Sequence, residues 1–180
     1  MSENDNEIYE YAVLAGGCFW CVEAVYERID GVRSAVSGYT GGTAENPTYR
    51  QVSTGRTGHA EVVKVEFDPN LVSYEEILEV FWKSHDPTTL NRQGSDTGTQ
   101  YRSAIYYDSE QQLEIAKSSR AKAQNEFNAK IVTEISPLEE FYVAEEYHQD
   151  YFDINPTAGY CQFVIAPKLQ KLGLPGEAFK

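Results

Sequence analysis

The apolar residues of this chain switch between a period of two and a period near 3.6, and the two patterns do not alternate strictly. Over 60–67, Val63, Val65 and Phe67 interleave with Val62, Lys64 and Glu66, which is the pattern of a strand. Asp68-Pro69-Asn70 closes it. Ser73 and Glu76 then form a capping-box pair ahead of Ile77, Leu78 and Phe81, so a helix starts there. Residues 9–15 read as a strand ended by Gly16-Gly17. Val22, Val25 and Ile29 share one face of a helix that begins at Cys18 and stops at Gly31. A strand over 32–37, a Gly-rich loop over 38–47 and a turn of helix near 48–53 follow. Later come a strand over 101–107, a long helix capped by Ser109 with Gln112 and reaching about Asn128, a strand over 131–135 and a helix over 144–152. The polar loop from His85 to Gln100 is long for a compact domain, and such loops are more often functional than idle. This mixture predicts an α+β fold: a two-layer sandwich of helices on a mixed, largely antiparallel sheet, with a doubly wound parallel sheet as second choice. A chain of 180 residues suits one domain. Residues 1–8 are expected to form a flexible arm, and 155–180, rich in Gly and Pro, an irregular tail.

Composition narrows the functional classes. Apolar residues make up 41% and charged residues 24%, enough to fold around a core and too apolar for a disordered chain. With 15 basic and 28 acidic residues the formal net charge is −13, which disfavours nucleic acid and anionic membrane surfaces as partners. No apolar run is long enough to span a bilayer. The opening Met1-Ser2-Glu3-Asn4-Asp5 has neither signal-peptide nor transit-peptide character, so a cytoplasmic location is expected. Three Cys is an odd count, which argues against a disulfide-stapled secreted fold and leaves at least one free thiol.

The chemistry concentrates where the first strand meets the first helix. Gly16-Gly17 permits a tight turn, and Cys18 then stands at a helix N-terminus, where unpaired N–H groups and the helix dipole favour an anion. That setting turns a thiol into a nucleophilic thiolate, whereas an arbitrary Cys is more often inert packing. Cys18-x-x-Cys21 fits a redox pair or half of a zinc site. With no second Cys pair, and only Cys161 and three scattered His besides, a zinc site is not expected.

Glu61 lies on the same strand face as Val63, Val65 and Phe67, which should look into the core. A carboxyl there needs a partner, or a raised pKa that keeps it protonated, unless it reaches water at the strand end. A neutral carboxylic acid could donate a proton. His59 is read as structural or solvent-facing.

Five separated motifs occur in order: Gly16-Gly17-Cys18-Phe19-Trp20, Ser37-Gly38-Tyr39-Thr40-Gly41-Gly42, Gly58-His59-Ala60-Glu61, Gly98-Thr99-Gln100-Tyr101-Arg102-Ser103 and Tyr147-His148-Gln149-Asp150-Tyr151. With them the chain, from Ala15 to about Leu172, resembles the peptide methionine sulfoxide reductases of the A type. The resemblance implies thiol-dependent reduction of the S epimer of methionine sulfoxide, free or in oxidised proteins, with thioredoxin as final reductant and no metal or organic cofactor. It implies that Cys18 is the nucleophile and Glu61 the proton donor. It also implies a pocket in which Phe19 and Trp20 hold the methyl group while Tyr49, Asp96 and Tyr101 orient the oxygen. Many members carry Gly where this chain has Cys21, and Gly159-Tyr160-Cys161 resembles their usual resolving segment. Both Cys21 and Cys161 therefore stand as resolving thiols. Residues three apart on a helix are neighbours, which gives Cys21 the shorter path to Cys18.

Overall fold

A computed structural model describes residues 8–176, so the arm expected at 1–8 lies, apart from residue 8, outside the described residues. Six strands form one sheet: β1 (Glu10–Gly16), β2 (Val32–Thr40), β3 (Ala60–Phe67), β6 (Ser103–Tyr107), β7 (Glu134–Pro137) and β8 (Tyr142–Val143). Their order is β7-β6-β1-β3-β2-β8. Only β6 and β7 pair in parallel; every other neighbouring pair is antiparallel, as the mixed sequence pattern predicts.

The alternation in β3 sets the two layers. Val63, Val65 and Phe67 join Ala12, Leu14 and Ile105 in the main core. That core is completed by helices α1 (Phe19–Tyr26), the short α2 (Tyr49–Ser53), α3 (Tyr74–Ser84) and α4 (Glu110–Gln124). Ala60 and Val62 point the other way, with Val13, Ala15, Ala104 and Tyr106, and are covered by Leu138 and Phe141. The capping pairs act as read. Ser73 Oγ accepts the Glu76 N–H at 3.1 Å, and Ser109 Oγ accepts the Gln112 N–H at 3.1 Å. Between them α3 buries Ile77, Leu78 and Phe81 completely.

The chain departs from its sequence pattern in four places. The long loop carries a small hairpin, β4 (Arg92–Gln93) with β5 (Asp96–Thr97), and a 3-10 turn over Thr99–Tyr101, so β6 begins at Ser103. The strand expected over 131–135 is shifted to β7, because Ile131 N–H bonds the Gln124 side chain and Val132 N–H bonds Pro87 O, away from the sheet. The helix expected over 144–152 is broken into a 3-10 turn at Glu146–His148 and the short α5 (Tyr151–Ile154). Asp150 causes the break: it sits at φ +53° and gives its N–H to Glu23 Oε1 at 3.0 Å. The tail expected to be irregular from 155 is instead ordered over a π-turn (Cys161–Ile165) and α6 (Ala166–Lys171). Pro167 follows closely on the π-turn within one unbroken helical run over 159–171, so the irregular turn lies just before the residue that lacks an N–H. Buried Ile165 and Leu169 anchor the segment against Ala24 and Val25 of α1. No helix among the described residues is long and apolar enough to cross a membrane.

Candidate active site

β1 ends at Gly16, and Gly17 turns the chain at φ +97°, where an L side chain is strained. A Cβ at Gly17 would also lie 2.7 Å from Gln93 Cγ. The turn delivers Cys18 to the N-cap of α1, where its carbonyl accepts the N–H groups of Cys21 at 3.1 Å and Val22 at 3.4 Å. Helix N-termini leave their first N–H groups without intrahelical partners. Phe19 gives its N–H to Glu61 Oε1 at 3.1 Å. Glu61, on the core face of β3, is 1% exposed. Burial pushes its carboxyl up to about 8; the Phe19 N–H draws it back, while Asp96 and Cys21 push it further up. At neutral pH it is mainly a carboxylic acid, able to donate.

Cys18, Cys21 and Cys161 are all free and buried. Burial, then Cys21 and Glu61, hold the Cys18 thiol well above the ordinary range, against the pull of the Trp20 main-chain N–H. Cys21 is drawn down to about 7, first by its hydrogen bond with Cys18 and against burial, with Lys168 and Tyr160 helping. This corrects the expectation that the helix start alone lowers the Cys18 thiol: in the resting site burial outweighs it and Cys21 is the member drawn down, so the pair shares one charge and its second proton is hard to remove. Burial and then Cys21 push the Cys161 thiol up. Cys161 packs with Cys18, Cys21, Phe152, Ile165 and Leu169 rather than lying in a loose tail.

Aromatic rings build the wall beside the thiols. Phe19 is fully buried, 5.7 Å from Tyr39, 6.5 Å from Tyr49 and 5.0 Å from His148, ring centre to ring centre. Trp20 stacks on Tyr151 at 3.6 Å and meets the edge of Tyr160 at 5.8 Å. Its indole N–H donates to His148 Nδ1 at 3.0 Å, which puts the imidazole proton on Nε2. Glu145 fixes the opposite side, accepting from Tyr39 Oη at 2.9 Å and from the Tyr49 N–H at 3.0 Å. The Tyr101 hydroxyl is pushed up by burial and then by Glu61, Tyr49, Asp96 and Cys18, which places each of these groups near Tyr101. Asp96 accepts from Tyr160 Oη at 2.8 Å.

The fold thus gathers all nine expected residues: Cys18, Phe19, Trp20, Cys21, Tyr49, Glu61, Asp96, Tyr101 and Cys161. It adds Tyr39, Glu145, His148, Tyr151 and Tyr160, which sequence reasoning left unassigned. Tyr39 falls in the Ser37–Gly42 motif, His148 and Tyr151 in Tyr147–Tyr151 and Tyr160 in Gly159–Cys161, while Glu145 falls in none. His59 is structural but not solvent-facing: its buried ring accepts from the Gly42 N–H at 3.0 Å and donates to Ala44 O at 2.6 Å. A cavity of about 1270 Å³ lies between α3, α4 and α6, but none of the nine residues lines it, and the convergence of thiols and carboxyl marks the site instead. Among the described residues, one acidic group has metal-like spacing: Glu23, Glu27 and Asp150 have oxygens within 4.8 Å of one another. Burial and hydrogen bonding to Asp150 push the Glu27 carboxyl up to about 10.

A thiol pair at a helix start, facing a buried carboxylic acid and an aromatic wall, defines a thiol-dependent redox enzyme. The family model for peptide methionine sulfoxide reductase matches residues 10–175. The chain is 57% identical over 162 residues to peptide methionine sulfoxide reductase MsrA 1 of Rhodopirellula baltica, covering 90% of this chain and 84% of that protein. Among solved structures it is similar to reduced Mxr1 from Saccharomyces cerevisiae, with TM-score 0.81 and 37% identity over 86% of this chain and 90% of that one. It is also similar to Mxr1 in complex with Trx2, with TM-score 0.60 and 27% identity over 80% of this chain and 86% of that one. This chain belongs to the peptide methionine sulfoxide reductase family.

Proposed function

We propose that this protein, acting as a single domain, reduces methionine S-sulfoxide, free or in oxidised proteins, to methionine. Cys18 thiolate attacks the sulfoxide sulfur while Glu61 protonates the oxygen, a positioned acid acting on a poor leaving group. Methionine departs and Cys18 is left as a sulfenic acid. The Cys21 thiol condenses with it, releasing water and closing a disulfide. Cys21 is favoured as the first resolving thiol because it lies three residues from Cys18 at the start of the same helix and titrates together with it, whereas Cys161 must leave the packing of Phe152, Ile165 and Leu169. Cys161 is the second acceptor, by disulfide exchange. Thioredoxin reopens the disulfide; the Mxr1–Trx2 complex supports that choice of reductant. Phe19 and Trp20 hold the methyl group, and Tyr49, Asp96 and Tyr101 orient the oxygen. A cytoplasmic location suits three free thiols.

The observation that carries this reading is the 3.1 Å bond from the Phe19 N–H to Glu61 Oε1. It fixes a buried neutral acid beside the nucleophile. The test is single-turnover reduction of separated sulfoxide epimers. The chiral sulfur presents its lone pair, methyl and oxygen in one productive arrangement, so the S form should be consumed and the R form remain. Cys18→Ser should form no methionine. Equal consumption of both epimers, or methionine formation by Cys18→Ser, would refute the reading.

A further inference from the structure

Tyr160 bridges two groups that the reduction step does not connect. Its hydroxyl donates to Asp96 Oδ2 at 2.8 Å and lies 3.5 Å from Cys21 Sγ. A phenol has one proton. While Cys21 is protonated and the Tyr160 proton is given to Asp96, the Tyr160 oxygen is the acceptor at the sulfur contact; once Cys21 is ionised, the same hydroxyl can turn to donate to the thiolate. The three groups form a directed chain from Cys21 through Tyr160 to Asp96. The ring is held for this: it is half-buried, with Trp20 packed against it at 5.8 Å.

We infer that Tyr160 and Asp96 form a proton relay that activates Cys21 for disulfide closure. The inference rests on Cys21 being the first resolving thiol. Closure joins Cys18 S–OH and Cys21 S–H into a disulfide and water. The Cys21 S–H and Cys18 S–O bonds break, and an S–S bond and a water O–H bond form. The sulfenic sulfur is reduced and the Cys21 sulfur is oxidised. A thiolate, not a thiol, makes that attack. Once Cys18 carries oxygen it no longer shares Cys21's proton, so another acceptor is needed. Tyr160 takes the Cys21 proton as it passes its own to Asp96, and Asp96 then yields that proton to the departing hydroxide, which leaves as water, so the relay ends in the protonation state in which it began. Burial and the neighbouring thiols hold the Tyr160 phenol far above its ordinary ionisation range, so it shuttles a proton without resting as a phenolate.

The test separates the two steps in one rapid-mixing experiment without reductant. Methionine release reports reduction; dimedone-trappable sulfenic acid and loss of free thiols report closure. In Tyr160→Phe, closure should slow on the order of 10²-fold, the scale of a lost acid–base group, and sulfenic acid should accumulate after the methionine burst. Installing 3,5-difluorotyrosine at position 160 keeps the shape and acidifies the phenol. It should restore closure and move its pH profile to lower pH, which a purely structural role would not do. Cys18, Lys168, Asp96 and Tyr160 act on Cys21, and Cys21 in turn acts on Glu61 and Cys161, so the profile is compared between variants rather than read alone. Wild-type closure in Tyr160→Phe, with a normal methionine burst, would overturn the relay. Wild-type closure in Cys21→Ser would overturn the choice of resolving thiol instead, and absence of a burst in the parent protein would overturn the proposed reduction itself.

Discussion

Glu61 performs two tasks with one carboxyl group. Oε1 accepts the Phe19 N–H and so helps fix the start of α1, while the proton it retains is available to the substrate. Glu61→Gln separates the tasks, since an amide oxygen can still accept that N–H. The variant should therefore fold with an unchanged or higher Tm, because a buried ionisable group is gone, yet form methionine roughly 10²-fold more slowly in a single turnover. The pH profile gives an independent check. A raised pKa means the acid form is present below about 8 and lost as pH rises through that value, so the wild-type rate should fall on the alkaline side. Glu61→Gln should lack that alkaline limb; a limb that persists would assign it to another group. At this scale Cys18 and Glu61 were legible locally, one from a double glycine between strand and helix, the other from an acid at an apolar parity. Tyr49, Asp96 and Tyr101 were legible only through the resemblance. In a chain with 13 Tyr, nothing local singles out Tyr160 or Tyr151. Likewise the bond from Trp20 to His148 spans 128 residues, a tertiary contact that no short pattern encodes.

The junction of β1 with α1 is where backbone geometry controls the chemistry. Gly17 occupies a left-handed conformation, and the neighbour a Cβ would meet is not free to swing away. Gln93 donates from Nε2 to Asp86 O at 2.9 Å and accepts the Asp86 N–H at 3.0 Å. Gly17→Ala should thus cost at least the left-handed penalty of about 1–2 kcal/mol, lowering Tm by roughly 2–8 °C for a chain of this size. Methionine formation should slow as well, since any relief of the clash displaces Cys18 relative to Glu61. Thermal unfolding and single-turnover rates measured on the same variant check both. A Tm within a degree of the parent would show that the turn accepts a side chain. Elements with both a cap and a period were legible: α3 and α4 start at their Ser caps, and β3 spans its alternation. The broken helix after Ala144 was not, because the break depends on Asp150 giving its N–H to Glu23, a residue of α1. The helical tail was hidden for a similar reason. Its order comes from packing on α1 and from Arg28, whose Nε–H donates to Pro175 O at 2.7 Å.

In the molecule as a whole, four of the 28 acidic residues are gathered in one partly buried cluster. Glu23, Glu27, Asp150 and Asp153 gather near Arg28, which donates to Asp153 Oδ1 at 2.8 Å and to Ala24 O at 2.9 Å. This cluster ties α1 to α5 and to the tail, so it supports the cysteine-bearing helix from the end opposite Cys18. Several acids and one guanidinium are balanced by the proton on Glu27, whose carboxyl burial and Asp150 push up to about 10. The sign of the linkage follows. In the unfolded chain a Glu titrates near 4.5, so between that value and about 10 the folded state binds more protons and stability falls as pH rises. Glu61 acts in the same direction between about 4.5 and 8. Self-repulsion of a chain at net charge −13 adds to the trend, but salt screens that part, whereas the buried carboxyls are screened much less. Buried His85, held neutral down to about 4, and His148 act in the opposite direction below about 6.5, and Cys21, drawn down to about 7, offsets part of the slope from there to about 9, so Tm should decline chiefly from about pH 6.5 to pH 10, with a slope that survives added salt. Asp86 opposes this at the acid end: the Thr88 hydroxyl holds its carboxyl below the ordinary range, so its contribution is lost as pH falls. Glu27→Gln keeps a hydrogen-bond donor toward Asp150 without a titrating proton, and should flatten the decline above pH 8, where Glu61 no longer contributes. Calorimetry of the parent and of Glu27→Gln over this range, at low and high salt, decides the matter. Parallel Tm curves above pH 8 would mean that the cluster is held together by something other than the Glu27 proton.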